Sequence, residues 1–204
     1  MLVARKSQSG DTIIEVLMAI TIFSLIAVGS LMLMQKGAAM AQRSLEITLV
    51  RQQMDGQADL IRLAHDSYLS NPDATSGPGA VWRQITTAAQ TSGSLPSLNN
   101  PATCPTNVPR SFVVTKASAV ADGLSLQRFT TARPAAVFSQ VNVLETGVAN
   151  PAEGLWVQAI RIPPRGSASA VDAYDVYIRA CWDSVGLERP MTLGTIVRLY
   201  EPRS

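Results

Sequence analysis

The sequence predicts an α+β protein: a long N-terminal α-helix, membrane-suited in its first half and soluble in its second, packed on a C-terminal antiparallel β-sheet domain. Three observations predict it. Residues 16 to 34, VLMAITIFSLIAVGSLMLM, carry no charge. Residues 36 to 66 contain no proline and repeat apolar side chains at helical spacing. Beyond residue 110 the pattern changes to short β-branched runs bounded by Gly, Pro or Asp. At 204 residues, 47% of them hydrophobic, the chain can hold one membrane segment and one domain of ordinary size. Only 5% are aromatic, so a core outside the membrane has to be largely aliphatic.

The first ten residues, MLVARKSQSG, form a polar leader with two positive charges, Arg5 and Lys6. The uncharged run from Val16 to Met34 would span about 28 Å as a helix, close to one bilayer core. A positive leader stays cytoplasmic, which puts everything beyond Met34 on the outer side. Ala39-Met40-Ala41 has the A-x-A form of a secretory cleavage site. Against that reading, the apolar run is too long for a signal-peptide core and Glu15 stands at its head.

Past the membrane the helix should continue to about residue 68. Ile47, Val50, Met54, Ala58 and Ile61 make one apolar stripe, while Arg43, Glu46, Arg51, Asp55 and Arg62 fall off it, as a solvated face would. Gly29, Gly37 and Gly56 are weak points at which bends or close packing are expected. Ser70-Asn71-Pro72 marks the end. The chain then divides into a leader (1–10), a transmembrane and assembly helix (11–34), its soluble continuation (35–69) and a globular head (70–204).

In the head, residues 70 to 110 are loop-rich around one short helix, 80 to 90, with Val81, Ile85 and Ala88 on one side. Strands are expected at 111–116, 123–129, 155–162, 173–182 and 194–201. In the fourth, Tyr174, Val176, Ile178 and Ala180 face one way and Asp175, Tyr177, Arg179 and Cys181 the other. Hairpin-length links after a helix argue for an antiparallel sheet. That sheet and the helix stripe each have an apolar face that needs cover.

Charge and motifs exclude more than they assign. With Arg5 and Lys6 set aside, the remaining bases equal the 15 acids, so a neutral mixed surface gives no general pull on nucleic acid or anionic lipid; a local patch stays open. His65 is the only histidine and reads as a packing residue at a helix end. There is no G-x-S-x-G elbow, P-loop or dinucleotide-binding glycine motif, so no catalytic residue and no cofactor are assigned. Asp172, Asp175 and Asp183 lack EF-hand spacing, and two cysteines without C-x-x-C do not make a zinc site, so no metal is assigned either. Trp82, Trp156 and Trp182 read as core anchors rather than a binding platform. Cys104 and Cys181 would lie outside the membrane, where a disulfide is the simplest reading and two free thiols the alternative.

One stretch carries a family pattern. Gly10 is followed by Asp11, then Thr12-Ile13-Ile14-Glu15-Val16-Leu17 and Ala19, and then the apolar run. This resembles the N-terminal segment of type IV pilins and type II secretion pseudopilins, over roughly residues 5 to 35. The resemblance implies a prepilin: a dedicated peptidase cuts between Gly10 and Asp11, and the subunit waits in the membrane as a single-pass protein. It then polymerises with other pilin subunits through its N-terminal helix, with Glu15 as the assembly residue. An assembly ATPase and a membrane platform are implied partners, and the long helix on a globular head is the family's build. Many members also carry a disulfide near the C-terminus. Asp11 departs from the family's Phe or Met, which puts N-methylation of the new amine in doubt and marks a minor or divergent pilin; the function implied is that of a minor pilin or pseudopilin. Small residues Ala19, Ser24, Ala27, Gly29 and Ser30 would let helices pack closely in a filament. Thr12-x-x-Glu15 is also the pattern of a capping box, a purely structural role for Glu15. The alternative function is a membrane-anchored binding domain on the outer side that never polymerises.

Overall fold

The computed structural model describes residues 12–91, 102–116, 123–141, 152–163 and 171–201. By its contacts the chain forms two compact units, Met1–Gln42 and Arg43–Ser204. One helix, α1, runs through both from Ile13 to Ser70. A second, α2, spans Pro78–Ala88. Five strands follow: β1 (Asn107–Lys116), β2 (Leu124–Thr131), β3 (Leu155–Ile162), β4 (Asp172–Trp182) and β5 (Met191–Glu201). They form one antiparallel sheet in the order β2-β1-β3-β4-β5. The predicted α+β architecture is the observed one.

Within the second unit, the helix stripe and the sheet cover each other. Val50, Met54, Ala58, Ile61 and Ala64 of α1 and Val81, Trp82 and Ile85 of α2 share one buried cluster with alternate residues of β3 and β4. Tyr174, Val176, Ile178 and Ala180 all belong to it, as the alternation requires. The opposite face holds a smaller cluster of Val108, Ala132, Trp156 and Cys181. All three tryptophans are fully buried, so they anchor cores and offer no exposed platform.

Two expectations on α1 are corrected. Glu46 lies off the apolar stripe yet is only 3% exposed, because its Oε2 accepts a hydrogen bond from the Trp182 indole N–H at 3.1 Å. β4 carries this indole to that turn of the helix, where the carboxylate supplies its acceptor. Arg43 is likewise not free in solvent: its Nη2 donates to the carbonyls of Gly186 (3.1 Å) and Val185 (3.4 Å). The glycines also behave differently. At Gly29, Gly37 and Gly56 the helix continues unbroken, and an added Cβ would meet nothing within 4 Å. The expected bends are therefore absent, and within the chain the glycines' cost is one of propensity.

The sheet is not uniformly zipped. β1 pairs with β3 only at Phe112 and Val157, whereas β3–β4 and β4–β5 are paired along their lengths. Side of the break by side, other groups supply the missing partners. Below Phe112 the register of β1 slips between Asn107 and Ser111, around Arg110 at φ 53°. There Gln90 takes the place of a strand: its N–H donates to Ala159 O, and its carbonyl accepts from Arg161 N–H. The Gln158 side chain donates to Pro109 O at 2.9 Å. Above Phe112, the Gln57 amide of α1 donates to Val114 O and accepts from Val114 N–H, both at 2.8 Å. A side chain here mimics a peptide group, which leaves no buried main-chain group of Val114 unpaired.

Candidate functional site

The residues singled out by sequence fall into two places, the first turns of α1 and the far face of the sheet. In the first unit, one helix is long and apolar enough to cross a membrane, with an 18-residue window of mean hydropathy 2.5 and none of it buried. Its large side chains are exposed around the whole circumference; Leu17, Phe23, Leu25, Leu31 and Met34 are among them. A helix apolar on every side needs an apolar surrounding, either lipid or other helices.

Only three side chains between Val16 and Met34 are polar, and each is satisfied within the helix. Thr21 Oγ1 donates to Met18 O, Ser24 Oγ to Ile20 O and Ser30 Oγ to Ile26 O, each at 2.8 Å. Folding back onto the main chain removes their need for water. Glu15 sits in the first turn, where a negative charge complements the helix dipole. The turn is closed by the main chain: Glu15 N–H (2.9 Å) and Val16 N–H (3.3 Å) both donate to Thr12 O. The reciprocal side-chain bonds of a capping box are not among those of the described residues, so Glu15 is exposed with its carboxylate uncommitted to the cap. Gly10 and Asp11 lie outside the described residues.

On the far sheet face Cys104 and Cys181 are joined as a disulfide, with Cα atoms 5.6 Å apart. The bond ties the segment before β1 to the end of β4. Gly154 makes room beside it: at φ 64°, an added Cβ there would collide with the Cys181 carbonyl. Ser139 Oγ bridges the carbonyls of Gly154 and Cys181 at 3.0 Å each. Closing a loop of 77 residues' separation is worth about 4 kcal/mol in the chain-entropy model. Cys181→Ser should therefore lower the unfolding free energy by about that amount. Non-reducing peptide mapping of the native chain should recover the linked pair, and two freely alkylated cysteines would refute the bond.

The remaining polar residues read as structural. His65 is 6% exposed, with Nε2 3.0 Å from Tyr200 O and its ring edge-on to Trp82 at 4.9 Å. That geometry spends the ring on packing. Asp175 is held by Arg198 through two bonds, 2.6 and 2.7 Å, and Asp172 by Arg161 at 2.7 Å. Burial, aided by the nearby Glu201 carboxylate, pushes the Tyr174 phenol up to about 12. Among the described residues no group of His, Cys, Asp and Glu could hold a metal ion.

The roles of Gln57, Gln90 and Glu46 were missed by sequence reading, since each depends on where a distant strand ends or bulges. Comparison with protein-family models, curated proteins and solved structures finds no match to this chain.

Proposed function

We propose that this chain is a type IV pilin-like subunit, a minor pilin or pseudopilin, held in the membrane by the first half of α1 and polymerised through it. One observation carries the reading. A helix uncharged from Val16 to Met34, internally satisfied in every hydroxyl of that run and apolar all round, begins at Ile13, two residues after Asp11 of the Gly10-Asp11 pair in the sequence, with a carboxylate, Glu15, at its head. A simple anchor needs the apolar run but has no use for the glutamate in that register. Lipid and neighbouring helices are interchangeable surroundings for such a surface, so the same segment can store a subunit in a bilayer and later pack in a filament core. The prepilin peptidase, the assembly ATPase and its membrane platform are the partners this reading requires. A disulfide in the head supports placement in an oxidising compartment outside the cytoplasm.

The test is the mature N-terminus. Peptide mass spectrometry of membrane-derived protein should find a chain beginning DTIIEVLMAI, at Asp11. A chain beginning at Met1 would favour the non-polymerising anchor, and one beginning at Gln42 a secreted domain. The same spectrum reads whether the Asp11 amine carries a methyl group.

A further inference from the structure

We infer that the α2 side of the β1–β2 hairpin is a binding site for a ligand carrying at least two oxyanion groups, phosphate or carboxylate. Two adjoining cavities of about 280 Å³ each open there. One is lined by Arg110, Arg128, Thr87 and Phe112, among others. The other is lined by Arg83, Arg128, Thr75 and Thr87. Arg128 and Thr87 are common to both, so each cavity has two guanidiniums and at least one hydroxyl, and among the described residues no acid lines either. None of the three arginines forms an ion pair among the described residues. What sets them apart is convergence: Arg62, Arg161 and Arg198 are each matched to an aspartate, whereas these three line two cavities that share a side chain. Three unmatched guanidiniums on one face of an otherwise balanced protein repel one another until a counter-charge arrives.

The arrangement is also set in advance. Arg128 lies opposite Phe112 in the β1–β2 ladder, and its Nη2 donates to Gln84 O of α2 at 2.9 Å, which fixes the fork while leaving other N–H donors unused. Arg110 is the one non-glycine residue with positive φ among the described residues. That conformation is disfavoured for a residue with a Cβ, and strained residues of this kind gather at ligand sites. A guanidinium fork matches phosphate and carboxylate oxygens two at a time, and a second anionic group can occupy the neighbouring cavity through the shared Arg128. Phe112 is 1% exposed, so no aromatic face is offered for stacking and the site selects charge rather than rings.

The test is titration calorimetry of the full chain in neutral detergent micelles, with inorganic tripolyphosphate and, separately, citrate at fixed ionic strength. At least one should bind one-to-one, with affinity falling as salt rises. Arg128→Ala and Arg110→Gly should each weaken it about tenfold or more. Arg51→Ala, an equal change of charge on the solvent side of α1, should leave it unchanged. Preference for tripolyphosphate assigns a phosphate ligand and preference for citrate a carboxylate one, and both outcomes support the site. Arg83→Ala gives the same reading if Arg128→Ala does not fold, as judged by its tryptophan fluorescence. No binding by either anion, or equal weakening by Arg51→Ala, would overturn the assignment. This site is independent of the N-terminal helix, so its failure leaves the pilin reading untouched.

Discussion

Glu15→Leu should still enter the membrane and still be cut after Gly10, yet drop out of sheared filaments. A charge within a membrane helix costs about 2.5–3.5 kcal/mol at the centre and less near an end, so removing it favours insertion slightly. The loss comes at assembly. Cleavage turns the peptide link at Asp11 into an α-amine, whose pKa of about 7.7–8.0 leaves it largely protonated at neutral pH. In the proposed filament, the amine of an incoming subunit meets Glu15 of a neighbour in a medium without water. Breaking such a pair from one side leaves an uncompensated buried charge, at about 3–5 kcal/mol. Each 1.4 kcal/mol is a factor of ten, so incorporation should fall at least about tenfold. The Asp11 side chain competes for the same amine, and Asp11→Phe should therefore preserve or raise incorporation. Quantitative blotting of sheared filaments against total membrane protein measures both. Wild-type incorporation of Glu15→Leu would reduce Glu15 to a helix-dipole partner and end the pairing idea.

The second large effect is expected at Ile61, which is wholly buried between α1 and the sheet. Ile61→Val should cost about 0.5–1.5 kcal/mol and Ile61→Ala about 2–5. Ile61→Asp should cost more than either, because it adds an unpaired carboxylate to the lost packing. His65, one turn on, offers little rescue: its ring nitrogens already face Tyr200 O and Asp66 Oδ1. Set against a typical margin of about 5–15 kcal/mol, Ile61→Asp should leave the head without a cooperative unfolding transition. Tryptophan fluorescence during urea unfolding reads this directly, since Trp82, Trp156 and Trp182 all lie in the two cores. A normal transition for Ile61→Asp would mean that the helix does not depend on this face.

Elements with a strong local signal were legible in the sequence. The 3.6-residue stripe and the Ser70-Asn71-Pro72 stop locate α1 to within two residues, and strict alternation locates β4 and its two faces. Ends governed by tertiary contacts were less so. β1 begins at Asn107, four residues before the expected 111, its first part lying across a register shift beside Arg110, whose left-handed conformation no local pattern announces. α2 starts at Pro78 rather than 80, with proline in its first turn, a start signal that the loop-like SGPGA concealed. Glu46 looked solvated since a carboxylate off the stripe usually is; only the Trp182 indole, 136 residues away in sequence, explains its burial. Of the proposed assembly segment, the apolar run and Glu15 were readable outright, being properties of consecutive residues.

Polar contacts along α1 determine where the helix can sit. The apolar stripe of α1 nearly repeats every three or four residues, so adhesion alone would tolerate a slip of one turn along the sheet. Four polar contacts would not. Arg43 grips the carbonyls of Val185 and Gly186, Glu46 the indole of β4, Gln57 both main-chain groups of Val114 in β1, and His65 the carbonyl of Tyr200 in β5. They are spaced 3, 11 and 8 residues apart along α1, over about 33 Å of helix. No common step along the axis restores more than one of them at a time. The set works as a vernier: grease holds the helix down, and four unequal teeth leave it a single notch.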